Sequence, residues 1–208
     1  VASEDEFVSK LNARPKDSAE LFERALYKYE LGDYTGALKD FNWLLEVDPG
    51  FGQAYFYRGK CYKVLRQDSL AAQDFKKALE LNPDSPNYYL KSALSKMSSG
   101  YYQEAIQDLN KAIGLKEDFP EAFIARADAK TSLGVYKDAI SDYDKAISLN
   151  GQMPEAFQKR AYVNYRLKNY KLSMDDQEKA KALYEETGNI RGYKEAVDSI
   201  NLLRQIIN

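Results

Sequence analysis

Small and large apolar positions recur along this chain at a constant step. Ala37, Ala71, Ala105, Ala139 and Ser173 lie 34 residues apart, and so do Ala25, Gly59, Ala93, Ala127 and Ala161. Bulky residues keep the same interval: Tyr34, Tyr102, Tyr136 and Tyr170 at one phase, Phe41, Phe75, Leu109 and Tyr143 at a second, and Val47, Leu81, Leu115, Leu149 and Leu183 at a third. Self-similarity of this length marks an array in which each repeat is one supersecondary unit that buries its apolar face only against its neighbours. Alternating small and large residues let helices interdigitate at native density, so all three bulky phases are expected in the core.

Proline and glycine punctuate the pattern. Pro15, Pro49 and Pro83 share one phase, and Pro86, Pro120 and Pro154 share another. Proline lacks an amide that the first turn of a helix leaves unpaired anyway, so the second set starts helices. Gly32, Gly100 and Gly134 fall where a left-handed residue closes a helix C-terminus with little strain. Each unit therefore reads as a helical hairpin. In one of them Pro120 to Leu133 is the first helix, Gly134-Val135 the turn and Tyr136 to Leu149 the second helix.

Five complete units follow: residues 18–51, 52–85, 86–119, 120–153 and 154–187. Stepping back one period places Ser3 under Ala37, Phe7 under Phe41 and Leu11 under Leu45, so residues 1–15 read as the second helix of an incomplete N-terminal repeat. The N-terminal Val-Ala fits a processed or truncated chain, and a lone capping helix reads similarly. In the fifth unit the second helix is expected to run to about Glu186, with Gly188-Asn189 breaking it. Residues 188–208 then form a capping helix whose outer face carries Arg191, Lys194, Glu195, Asp198 and Arg204 around Ala196, Ile200 and Leu203.

Composition removes several functions. Thirty Lys plus Arg against 32 Asp plus Glu leave a net charge of −2, so there is no positive field to displace counterions from a phosphate backbone, and nucleic acid is not expected as a partner. No apolar run approaches the roughly 20 residues that span a bilayer, so no membrane insertion is expected in this segment. The single cysteine, Cys61, leaves the redox compartment open, and the cytoplasm is the default expectation. Histidine is absent, which removes the usual general base and the commonest metal ligand. Cys61 shares its phase with Ser95, Ala129 and Val163, the mark of a packed small residue rather than a nucleophile. Acidic neighbours such as Asp175-Asp176 point apart on a helix and make no two-carboxylate site. No catalytic residue, metal or cofactor is therefore expected.

The stretches Leu31-Gly32-Asp33-Tyr34, Ala78-Leu79-Glu80-Leu81-Asn82-Pro83 and Asp142-Tyr143-Asp144-Lys145-Ala146-Ile147 resemble the tetratricopeptide repeat family, and the resemblance covers residues 18 to about 187. The departures are local: Asp68 for the turn tyrosine, Glu117 and Gly151 for the terminal proline, Leu44 for a small residue, and Gln177 for an aromatic, which implies that the fifth unit's second helix meets solvent or a cap. The resemblance implies an all-α, right-handed α-solenoid of stacked antiparallel helix pairs, with first helices lining a concave wall. It implies in turn a protein-interaction scaffold or adaptor that assists complex assembly.

Carrying the family's inward-facing phases over gives Phe22, Leu26 and Tyr29 from the first unit, Phe56, Tyr57, Lys60 and Lys63 from the second, and Leu90, Lys91, Leu94 and Met97 from the third. The fourth supplies Ile124, Asp128 and Thr131, and the fifth Gln158, Lys159, Tyr162, Tyr165 and Arg166. An exposed aromatic shelf interleaved with lysine suits a peptide with apolar anchors and some acidic residues. The bland reading is that Leu26, Leu90 and Leu94 are helix contacts. A second copy of this chain, or its own terminus, is the competing occupant, and a regulatory array within a larger protein is a third reading. Family members that grip a chaperone's terminal carboxylate use lysine and asparagine at wall phases that here hold Phe22, Leu26 and Tyr57, leaving only Asn87 and Lys91.

One further pair repeats. Asp40, Asp74, Asp108, Asp142 and Asp176 recur in every unit, and Arg24, Arg58, Arg126 and Arg160 recur with Ser92 at the remaining place. Repetition at every rung favours a structural ladder of ion pairs over a binding site. Losing one partner of a partly buried pair costs about 3 kcal/mol or more, and of an exposed pair under about 1.

Overall fold

The computed structural model describes Pro15 and residues 17–207, and every regular element among them is an α-helix. In chain order these are α1 (Ser18–Glu30), α2 (Tyr34–Val47), α3 (Gly52–Val64), α4 (Asp68–Leu81), α5 (Pro86–Ser98), α6 (Tyr102–Leu115), α7 (Pro120–Ser132), α8 (Tyr136–Leu149), α9 (Pro154–Arg166), α10 (Tyr170–Glu186) and α11 (Ile190–Ile207). They form two compact units, Val1–Ser99 and Gly100–Asn208. The reading of residues 1–15 as part of an additional repeat lies, Pro15 apart, outside the described residues.

The helix ends follow from local chemistry. Asp17 caps α1 by accepting from the Glu20 amide at 2.9 Å, and Asp33 caps α2 by accepting from Gly36 at the same distance. Pro86, Pro120 and Pro154 open α5, α7 and α9. First helices close with a 6→1 bond past a left-handed residue, for example from the Asp33 amide to the Lys28 carbonyl at 2.9 Å and from Val135 to Lys130 at 2.9 Å. Gly32, Gly100 and Gly134 supply the positive φ, and Arg66 (φ 61°) and Lys168 (φ 63°) adopt it at the same repeat phase, where a side chain costs strain.

Within a hairpin the helices run antiparallel, because partners farther from the turn are farther apart in sequence. Tyr29 meets Tyr34 across the first turn with ring centroids 5.5 Å apart, Arg24 reaches Asp40, and Phe22 meets Phe41 at 6.0 Å. In the last hairpin Tyr165 meets Tyr170, Arg160 reaches Asp176, and the Tyr184 hydroxyl donates to Gln158 at 2.9 Å.

The two small-residue series are fully buried. Ala25, Ala37 and Ala71 in the first unit and Ala127, Ala139 and Ala161 in the second have no exposed surface. Gly59 shows why the series stays small: a Cβ there would lie 2.8 Å from Cε1 of Phe75. The bulky phase of Phe41, Phe75, Leu109 and Tyr143 is buried as well. The third bulky phase is not. Val47 is 64% exposed, Leu115 45% and Leu81 37%, because each is the last residue of its helix and the buried face ends earlier, at Leu45, Ala112 and Ala78. Leu183 is buried because α10 runs to Glu186 and α11 packs on it. There the ring of Tyr184 lies where a Cβ on Gly192 would be, so α11 approaches α10 closely at that glycine. Gln177 is buried beneath α11, in agreement with the expectation of a cap.

Candidate functional site

The Arg/Asp ladder is a set of forked ion pairs. Arg24–Asp40, Arg58–Asp74, Arg126–Asp142 and Arg160–Asp176 each place Nε and an outer nitrogen on the two carboxylate oxygens, at 2.6–3.0 Å. The aspartates are buried, and the arginine side chains are largely covered. Burial pushes the Asp74 carboxyl up, against the pull of Arg58. Sequence reasoning missed three further members. Arg58 donates to Asn42 at 2.8 Å and Arg126 to Asn110 at 2.7 Å, while Arg160 bonds Asp144, all from the preceding second helix. The spacing of 34 between Asn110 and Asp144 was the available signal. Lys28 and Lys130 add a second cation to Asp40 and Asp142, at 2.7 and 2.8 Å.

At Arg58, Arg126 and Arg160 the ladder thus ties three helices together through side chains of this chain. The predicted wall residues are distributed differently. In the first unit, Phe56 and Leu90 are only 8% exposed, which corrects the expectation of an open shelf at those two positions. Phe56 stacks on Tyr88 at 4.3 Å and tilts against Phe75 at 5.9 Å, so its surface is used between helices. Phe22, Leu26, Tyr29 and Tyr57 are half-buried against the first core. Tyr57 meets Phe22, Tyr29 and Phe56 at 5.8, 5.8 and 5.5 Å, a continuous aromatic floor.

Four further predicted wall residues of that unit are Lys60, Lys91, Leu94 and Lys63. Lys60 holds its ammonium 4.5 Å from the Tyr29 ring centroid and 4.6 Å from that of Tyr57, with Phe56 at 5.8 Å. Lys91 is half-buried; burial, and then the charge of Lys60, lower its pKa. Leu94 is 37% exposed, one turn beyond Lys91. Lys63 is tied to Asp68 at 2.8 Å and Ser98 at 2.7 Å. Among the described residues no carboxylate lies within ion-pair distance of Lys60 or Lys91.

The second unit carries another group of wall residues. Ile124 is buried in the core formed with Ala127 and Tyr143, again not on an open wall. Asp128 receives the Tyr143 hydroxyl at 2.6 Å and the Lys159 ammonium at 2.5 Å, beside a cavity of about 440 Å³ also lined by Thr131, Gln158 and Tyr162. Burial, and then Asp128, push the Tyr143 phenol up. Tyr162 and Tyr165 are exposed, and Arg166 lies over Tyr136 at 5.2 Å while donating to the Tyr162 hydroxyl at 2.8 Å.

Cys61 is buried in the first core, and burial raises its thiol from 9.0 to about 12. A raised folded-state value means the stabilisation is whole below the unfolded thiol's value and is lost as pH rises toward the folded one. The urea midpoint of the native chain is thus expected to hold steady up to about pH 9 and to fall between 9 and 12. The phenol of Tyr184, raised from 10.0 to about 12, reinforces the upper part of that fall. Cys61→Ala should delay the onset to about pH 10, and denaturation curves taken at half-unit intervals show whether it does. Among the described residues no group of three or more His, Cys, Asp or Glu is placed to hold a metal, and no helix is long and apolar enough to cross a membrane.

Two tetratricopeptide repeat models match this chain, one over residues 22–86 and the other over 86–119 and 120–153, more than half of its length together. The chain belongs to the tetratricopeptide repeat family. A curated relative from Arabidopsis thaliana, described as a DnaJ protein P58IPK homolog, is 32% identical over 102 residues, 45% of this chain and 21% of the relative. The chain thus spans about a fifth of that protein's length. Among solved structures, that of a MamA protein superposes with a TM-score of 0.74 at 22% identity, covering 84% of this chain and 95% of MamA. YrrB, described as a TPR protein with an unusual peptide-binding site, has a TM-score of 0.72 at 18% identity over 92% of this chain and 97% of YrrB. At these identities the likeness establishes the fold alone, an all-α solenoid of helical hairpins. Membership of the tetratricopeptide repeat family makes it a repeat scaffold suited to protein–protein interaction.

Proposed function

We propose that this chain is a non-catalytic adaptor whose first helices hold a peptide segment of a partner protein and so assist assembly of a complex. The observation that carries the reading is the first unit's wall, where Tyr29, Tyr57, Lys60, Lys91 and Leu94 present aromatic, basic and apolar surface that the internal ion pairs do not consume. Tyr162, Tyr165 and Arg166 offer a second, aromatic face in the other unit. Aromatic residues with a cation are what interface centres are enriched in. The peptide-binding site reported for YrrB supports the same reading by analogy of fold.

The test is to pan a phage-displayed library of random peptides on the full chain and map one enriched peptide by amide chemical shifts. Shifts concentrated on α1, α3 and α5, or on α7 and α9, are the expected result. Enriched peptides that perturb only α2, α4, α8 or α10, or a library that yields no binder, would count against the wall. A second reading, association with another copy, is favoured by the apolar side chains that α11 leaves exposed, Leu202 at 51% and Ile207 at 50%. Light scattering across a hundredfold concentration range separates it: a rising mass supports it and a constant monomer mass removes it.

A further inference from the structure

Lys60 and Lys91 are partly buried cations of the first unit that no carboxylate among the described residues answers, whereas its other cations without an ion pair, such as Lys39, Arg66 and Lys76, are exposed to water. Arg24, Lys28, Arg58 and Lys63 all have aspartate partners there. Lys60 instead points its ammonium at the rings of Tyr29, Tyr57 and Phe56, which hold it by their negative faces while leaving its N–H donors available on the other side. Lys91 lies one turn beyond Tyr88 on α5, and Tyr88 stacks at 4.3 Å on the Phe56 ring that Lys60 overlies, so both cations are tied to one aromatic stack; Lys91 is itself half removed from water, and burial, then the charge of Lys60, lower its pKa. Two like charges sharing a partly desolvated wall repel, and an anion placed between them removes the repulsion and gains two charge-assisted hydrogen bonds. The aromatic floor fixes one of the two cations in advance, so little side-chain entropy remains to be lost on binding.

We infer that Lys60 and Lys91 form a two-cation seat for one carboxylate side chain, Asp or Glu, of a guest peptide, with an aliphatic guest residue packing on Leu94 beside it. The inference rests on the peptide-scaffold reading and narrows it to acidic-apolar guests. The order of the parts supports the pairing. Leu94 follows Lys91 by three residues on α5, so both lie on one face of that helix. Phosphate-backbone ligands are disfavoured by the same wall, since two lysines among tyrosines make a local seat and not the extended positive track that nucleic acid needs.

The experiment uses an enriched peptide shown by amide shifts to lie on α1, α3 and α5, and its isostere in which each Glu or Asp is replaced by Gln or Asn. Both are titrated by fluorescence anisotropy into the native chain, K60Q, K91Q and the double variant. The native chain should bind the acidic form at least tenfold more tightly than the amide form, and the double variant should bind the two alike. The loss in K60Q/K91Q should be smaller than the product of the single losses, because one carboxylate serves both lysines. A ¹³C titration of the Lys91 side chain should show its pKa rising when the acidic peptide is bound. Equal binding of acid and amide forms by the native chain, with shifts still on α1, α3 and α5, overturns the seat and leaves the scaffold reading intact. A library that yields no wall-bound peptide overturns both.

Discussion

Replacing Asp142 by alanine is expected to destabilise the second unit by about 3–5 kcal/mol, the loss seen when one partner of a buried ion pair is removed. Asp142 is 4% exposed and answers two cations, Arg126 through a fork at 2.6 and 2.9 Å and Lys130 at 2.8 Å. Alanine leaves both charges partly desolvated, with Arg126 retaining only Asn110 and the face of Phe123. Against a total stability of about 5–15 kcal/mol this is a large fraction. The contrast is Glu80→Ala, which breaks the exposed Lys77–Glu80 pair and should cost no more than about 0.5 kcal/mol. Hydrogen exchange of α7 and α8 amides reads the difference locally. If the D142A loss is no larger than that of E80A, the ladder is a surface feature. Replacing Arg126, Lys130 and Asp142 together by apolar residues of similar volume should recover much of the loss, since desolvation then vanishes with the charges.

Much of the fold was legible because its signals are backbone chemistry repeated at one interval. Proline at the first helical position and glycine in the turn mark ends wherever they occur, and the left-handed backbone at Arg66 and Lys168 shows that the phase imposes the turn even without glycine. Ion pairing was legible for a related reason: a charge pair conserved in spacing across units has a fixed partner. Less legible was which wall residues remain open. α3 carries large apolar or aromatic residues around its circumference, Tyr55, Phe56, Tyr57, Cys61 and Tyr62 among them, so periodicity alone selects no face. Whether Phe56 is open depends on Tyr88, which belongs to another helix and happens to be a ring that stacks on it. The outward leucine and valine at helix ends were misread for a similar reason, because the 34-residue phase does not say where the buried stripe stops. The Lys60–Lys91 exception required geometry too. A lysine's lack of an aspartate partner is a statement about space, and no spacing along the chain expresses it.

Phe56 gives the sharpest separation between packing and binding. Phe56→Ala is expected to cost about 3–5 kcal/mol, the range for emptying a buried aromatic site. Its ring is 8% exposed, stacks on Tyr88 at 4.3 Å, and touches Phe75 and Tyr57 at 5.9 and 5.5 Å, so its removal opens a hole between α3, α4 and α5 that rigid helices fill only in part. An exposed contact residue behaves otherwise: truncation there leaves stability within about 0.5 kcal/mol and lowers affinity instead. Circular-dichroism melts of F56A should accordingly show a fall of several degrees or more, whereas L94A should melt close to the native chain. Peptide affinity measured well below the F56A midpoint should fall less than the at least tenfold loss of K60Q/K91Q, because Tyr29 and Tyr57 lie closer to the Lys60 ammonium, at 4.5 and 4.6 Å, than Phe56 does at 5.8 Å. An F56A chain that melts normally but no longer binds peptide would return Phe56 to the open wall and make the aromatic floor itself the recognition surface.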